Sequence, residues 1–256
     1  MRAHAELVAG RGPAGDLRLP VQRSQAPLIL RRSADAVYLA SGAAGPLGGD
    51  TLELSIEVRA GARLRLRTVA AAVALPGRYG QESVLSVTAT VGPGARLEYL
   101  PEPMVAADGA RHQTEVSVRL AADATLVLRD EVLLGRHGER GGACRTRLAV
   151  DRDGALGWRP LLRHELDLDG ADPAGRGPAV LAGHRAAGTL LTVEPGLTDV
   201  VDGADAADPW VAVMPLAGPG VLITALADDT RTLRRRLEGA HGATAPVMSG
   251  AGGGIA

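Results

Sequence analysis

A mainly β protein, built from stacked strand–turn–strand units of about 30 residues with a small helical element near its C-terminal end, is what this 256-residue sequence predicts. Three observations carry that reading. Apolar and polar residues alternate with a period of two in several segments, the pattern of a strand with one face in a core. A small-residue turn centred on alanine recurs along the chain. Gly 34 and Pro 16 supply many turns and leave little room for long helices.

Leu52, Leu54, Ile56 and Val58 alternate with Glu53, Ser55 and Glu57. Leu85, Val87, Ala89 and Val91 alternate with Ser86, Thr88 and Thr90, and Val116, Val118 and Leu120 with Glu115, Ser117 and Arg119. Each strand runs into a turn and a second strand, and the turn alanines Ala62, Ala95, Ala124 and Ala155 fall at intervals of 33, 29 and 31. If coils stack, residues at equal offsets from these alanines become neighbours, which brings Thr68, Pro101 and Asp130 into one file. An ordinary β-sandwich with evenly spaced hairpins is the competing arrangement.

Pro209 to Ala227 reads as a buried hairpin, because its prolines and glycines break a helix. A helix is expected over 230–238, capped by Asp228 or Asp229 and stopped at Gly239. Residues 1–241 are read as one domain. The segment 169–178 is an exposed loop, and 242–256, uncharged and glycine-rich, is a disordered tail.

Composition narrows the function classes. Hydrophobic residues at 46% and charged ones at 22% suffice for a core. Net charge is −1, every basic side chain is Arg, and the one tight basic cluster is Arg234-Arg235-Arg236. With Trp 2, Tyr 3 and Phe 0 there is neither the basic stripe nor the stacking rings of a nucleic-acid binder. Without lysine there is no P-loop. Cys144 is the sole cysteine, which removes disulfide frameworks and Cys-rich zinc sites and fits a cytoplasmic protein. No signal peptide or membrane span is expected. The G-x-S-x-G and H-E-x-x-H patterns are absent. What remains is a scatter of acids and histidines near strand ends: Asp50, Glu98, Glu102, His112, Asp130, Glu131, His137, Glu139, His164 and Glu165. A carboxylate-dependent, glycosidase-like hydrolase on a β-solenoid is one reading of these acids, although sugar clefts favour aromatic platforms. A purely structural β-module is another.

Gly48-Gly49-Asp50-Thr51-Leu52 leads into Val58-Arg59-Ala60-Gly61-Ala62. Gly94-Ala95-Arg96-Leu97-Glu98-Tyr99-Leu100-Pro101 follows, then Gln113, then Asp130 through Gly135-Arg136 and Gly138-Glu139. This ordered set resembles the motifs of the UreD (UreH) family of urease accessory proteins, most clearly over 47–165. One departure is Arg67-Thr68-Val69-Ala70, where the family carries a Thr-Thr pair and a later lysine. The resemblance implies a β-helical fold and a non-enzymatic role. It implies a scaffold that joins apo-urease to the F-type accessory protein and, through it, to the G-type GTPase. GTP belongs to that partner, nickel passes in transit without being tightly bound, and a homodimer within the complex is allowed. On this reading the nickel path is expected to use Asp50, Asp130 and Glu165, then Thr68, Glu98 and Glu139. Single carboxylates hold nickel weakly enough to release it, whereas a multi-histidine cage traps it. A surface site of His112 and His164 is the alternative.

Overall fold

The structure, a computed structural model, describes residues 1–155, 157–197 and 208–244. Strand β1 (Arg2–Arg11) pairs antiparallel with β2 (Leu17–Arg23), and β3 (Leu28–Arg32) with β4 (Val37–Ser41). The chain then winds. One coil holds β5 (Thr51–Val58), β6 (Arg63–Thr68) and β7 (Ala72–Ala74), and the next holds β8 (Ser83–Val91), β9 (Arg96–Leu100) and β10 (Met104–Ala106). A third holds β11 (Arg111–Leu120) and β12 (Thr125–Leu134), followed by β13 (Ala143–Arg152) and β14 (Arg159–Asp169). Strands β15 (Ala186–Val193), β16 (Val211–Pro215) and β17 (Gly220–Ala227) and the helix α1 (Thr230–Thr244) complete the described chain.

The arrangement is solenoid-like, of about four turns. In one sheet β1, β5, β8, β11 and β13 are parallel neighbours, closed at the ends by antiparallel β2 and β14. In the facing sheet β4, β6, β9 and β12 are parallel, flanked by antiparallel β3 on one side and by β15, β17 and β16 on the other. Short β7 and β10 line up beside the far end of β12. The period-two alternation does its expected work. Leu54, Val87, Val118 and Val150 point inward from the first sheet and meet Leu66, Leu97, Leu126 and Leu128 from the second.

The alanine turns are the coil corners. Ala62, Ala95 and Ala124 are at most 1 % exposed, so the corner has room for a methyl group and little more. Gly61 (φ 67°) and Gly94 (φ 61°) precede two of them in the left-handed conformation that glycine adopts without strain. Ladder pairing of Arg67 with Leu100, and of Leu128 with Tyr99, continues into the file Thr68, Pro101, Asp130 that the equal offsets anticipate.

Three expectations need correction. The fourth alanine, Ala155, is no coil corner: the chain reverses there into β14, antiparallel on β13, with Val150 opposite Leu162. The place beside β12 in the second sheet is filled instead by antiparallel β15. The helix does not stop at Gly239 but runs to Thr244, since Gly239 does not take the left-handed conformation of a glycine stop. Residues 242–244 therefore belong to α1, while the rest of the expected tail, 245–256, lies outside the described residues. The cap is Asp229, whose Oδ1 accepts the Thr232 amide at 2.9 Å. Asp228 instead bonds the His184 ring at 2.7 Å. The 209–227 hairpin forms as β16 and β17, but only β17 is buried: β16 is the edge strand of its sheet and is largely exposed. The segment 169–178 is mostly exposed, with the Ala171 and Ala174 amides bonded to Asp169 and Asp172.

Candidate functional site

Between the two sheets lies a cavity of about 290 Å³. Leu52, Leu85 and Thr114 line it from the first sheet, and Thr68, Tyr99 and Asp130 from the second. It reaches the surface beside Val69 and Ala70, both exposed. Glu102, Arg129 and Glu131 add a charged wall to it.

Asp130 is the acid the interior holds. It follows the inward run of β12, and its exposed surface faces the cavity. Burial pushes its carboxyl up to about 6, opposed by a hydrogen bond with Thr146 and reinforced by the charge of Glu131. Burial also raises the Tyr99 hydroxyl, to which the Asp130 charge adds. Thr68 sits two file positions away, with Pro101 between. Its Oγ1 accepts the Glu102 amide at 2.8 Å and donates to the Ala70 carbonyl at 3.2 Å. Asp50 is 5 % exposed and stands at the cavity margin, where a Cβ on cavity-lining Gly45 would come 3.8 Å from its Oδ2. Its carboxylate accepts the Met1 ammonium at 2.8 Å and the Leu47 amide at 2.9 Å. Burial works to raise its pKa, yet these bonds leave it lowered.

The other three expected path residues do not join this group. Glu98 points to the outer face of its sheet, because neighbours Leu97 and Tyr99 take the inward positions, and it is bound by Arg65 at 2.7 Å and Arg96 at 2.9 Å. Glu165 lies on the outer face of β14, 48 % exposed, against Arg147 at 2.9 Å. Glu139 staples the loop after β12: it bonds the Arg136 guanidinium and amide and the Asp108 amide, which hold its carboxyl down at about 2. A His112–His164 site does not form either. His112 is 1 % exposed and neutral, its pKa lowered to about 4 by burial. Its ring nitrogens are engaged by Ser83 Oγ at 2.9 Å and Thr114 Oγ1 at 3.1 Å. Its ladder partner two strands away is Leu168, four residues and about 13 Å from His164. Burial raises the Cys144 thiol and keeps it protonated. No cluster of three or more His, Cys, Asp or Glu able to hold a metal occurs among the described residues.

The charged wall was not legible in the sequence. Arg129 and Glu131 interrupt the apolar run of β12, the one hint of a buried charge there. Arg129 Nη2 donates to the Pro101 carbonyl at 3.0 Å, and its guanidinium stands 3.5–3.6 Å from Glu102, Glu131 and Glu238. Arg234, one of the three consecutive arginines, reaches down from α1 to Glu131 at 2.6 Å and to Glu102 at 3.0 Å.

Comparison with known proteins decides the family. The sequence profile of the family described as "UreD urease accessory protein" matches residues 1–253. The chain belongs to the UreD family. It is 47% identical over 272 residues to the urease accessory protein UreD of Frankia alni, covering 93% of this chain and 91% of that one. Identity to the UreD of a Parafrankia species is 45% over 263 residues, with 94% and 88% covered. To that of Streptomyces coelicolor it is 42% over 246 residues, with 94% and 95% covered. These family members carry the name of accessory proteins. Among the described residues no helix is long and apolar enough to cross a membrane.

Proposed function

We propose that this UreD-family chain acts in urease maturation without being an enzyme, as a scaffold and nickel conduit between the F- and G-type accessory proteins and apo-urease. The observation that carries the reading is Asp130, a carboxylate facing a cavity between two β-sheets and set apart from the cavity's Glu102 and Glu131, which Arg234 pairs. Nickel(II) binds oxygen and nitrogen ligands tightly when several converge. One carboxylate that no arginine pairs, in a cavity lined also by Thr68, Thr114 and Tyr99, offers few ligands, the condition for passing an ion on. With a pKa of about 6, Asp130 is ionised at neutral pH and gives up little proton to admit the cation. The path on this reading keeps Asp130, Thr68 and, at its margin, Asp50. Glu98, Glu139 and Glu165 drop out of it because arginines occupy them.

A hydrolase would need a second free carboxylate in the cavity, and Glu131 is clamped by Arg234. A structural module has no use for an acid facing a cavity. The test is urease activation in cells carrying the urease subunits and the other accessory proteins, with nickel per active site as readout. Asp130→Asn is expected to lower nickel loading at least ten-fold with partner binding intact. Full loading by that variant overturns the conduit.

A further inference from the structure

Strand β6 begins Arg63-Leu64-Arg65-Leu66-Arg67. Its period of two sends Leu64 and Leu66 into the core and all three arginines to the outer face of the second sheet. Arg96 stands opposite Arg63 on β9. On the other side Tyr38 pairs with Arg67, and Arg31, opposite Tyr38, carries the patch to the edge strand β3. Helix α1 covers the same face farther along, over β15 and β17, and no helix or strand packs on the outer side of β6 among the described residues.

Two acids answer these five arginines. Glu98 accepts from Arg65 at 2.7 Å and from Arg96 at 2.9 Å, while Asp35 acts on Arg65 through its charge without forming an ion pair. Arg31 Nη1 donates to the Leu30 carbonyl at 3.0 Å. Arg63 and Arg67 have neither an ion pair nor a side-chain hydrogen bond among the described residues. Packing alone holds Arg67, whose Nε is buried without a partner. The outer face of the first sheet is different, since its arginines meet acids there: Arg145 meets Asp167 at 2.5 Å and Arg147 meets Glu165 at 2.9 Å. A chain of net charge −1 thus gathers unneutralised positive charge on one sheet face.

The row is short, is interrupted by Glu98 and has Tyr38 as its one ring among the described residues, so it lacks the long stripe and stacking platform of a nucleic-acid groove. Its arginines recur about every 7 Å, and the planar guanidinium fork suits carboxylates. We propose that this arginine face docks an acidic surface of the protein that receives the cation from the cavity, which on the conduit reading is apo-urease. Arg67 adjoins Thr68, which lines the cavity, and Val69 and Ala70, where the cavity reaches the surface. Unneutralised arginines beside that opening repel a cation. Carboxylates laid over them by a partner remove the barrier and favour transfer outward. The name of the partner rests on the conduit reading, whereas the acid-binding character rests on the arginine row.

The test uses the full chain with purified apo-urease and purified F-type accessory protein, without nickel. Arg63→Glu/Arg67→Glu is expected to weaken apo-urease binding at least ten-fold and to leave the F-type protein bound as before. Arg111→Glu/Arg119→Glu makes the same charge change on exposed outward arginines of β11 in the first sheet, and is expected to leave both unchanged. Apo-urease binding by wild type is expected to weaken as salt is raised. Arg63→Gln/Arg67→Gln is expected to show a smaller loss, and it serves if the reversal does not fold. Undiminished apo-urease binding by the β6 variants, equal loss in the β6 and β11 variants, or loss of the F-type protein alone overturns the proposal. So does a loss confined to an oligothymidylate, the probe for nucleic acid. Wild type that fails to bind apo-urease overturns the proposal, and wild type that binds neither protein overturns the scaffold reading as well. Full nickel loading by Asp130→Asn overturns the conduit alone and leaves the binding result standing.

Discussion

Arg234 Nη2 lies 2.6 Å from Glu131 Oε2, joining residues 103 positions apart and pinning the C-terminal helix to the last strand of the parallel sheet. The Glu131 side chain is fully buried, so this pair is unlike the exposed arginine–acid pairs of the outer faces. Removing one partner of a buried pair leaves the other uncompensated.

Glu131→Ala is accordingly expected to cost about 3 kcal/mol of unfolding free energy, since it takes from two arginines their one fully buried carboxylate and leaves them partly exposed acids. Arg234→Ala is expected to cost less, because Arg129 stands 3.5 Å from the same carboxylate. Urea denaturation of both variants checks the order.

Glu165→Gln removes a pair whose members are both about half exposed. The expected loss is under about 1 kcal/mol, with nickel loading of urease unchanged. Parallel denaturation and activation assays check both halves.

Two buried groups oppose each other in the pH dependence. Asp130 is raised to about 6 in the fold, so between about 4 and 6 the folded state binds more protons than the unfolded one, and stability from this group falls as pH rises. His112 is lowered from 6.5 to about 4, so over that window the unfolded state binds more protons, and stability from this group is lost as pH falls. Asp130→Asn removes the first, and its stability is expected to fall more steeply than wild type between pH 6 and 4. Denaturation at four or five pH values measures it. By nuclear magnetic resonance the His112 ring should not titrate above pH 5.

Gly48→Ala is expected to destabilise by roughly 2 kcal/mol or more, because the added Cβ would lie 2.3 Å from the Gln81 carbonyl oxygen and 2.4 Å from the Gly77 nitrogen. Thermal denaturation tests it, with Gly239→Ala, which meets nothing within 4 Å, as the stabilising control.

Most of the solenoid was legible because its signals are local. Alternation sets the inward face, alanine marks the corner, and equal offsets place Thr68 beside Asp130 across Pro101. Glu165 shows where that logic ends: it follows the pair Leu161 and Leu162, but Leu162, His164, Leu166 and Leu168 take the inner positions of β14 and leave Glu165 on the outer face. Glu139 lies on a family motif and staples a loop. The Arg129–Glu131–Arg234 cluster was hidden because it joins segments that no periodicity relates.

The antiparallel strands at the ends of both sheets have a consequence for polymerisation. A stack of parallel coils offers at each end a backbone template on which another copy could add in register, as in a fibre. Here the chain turns back on itself before each end. β2 and β14 terminate one sheet, and β3 and β16 the other. Arg18 and Arg23 on β2, Arg31 and Arg32 on β3, Arg159 and Arg163 on β14 and Pro215 on β16 make those rims poor templates. The repeat that builds the cavity is thereby kept finite.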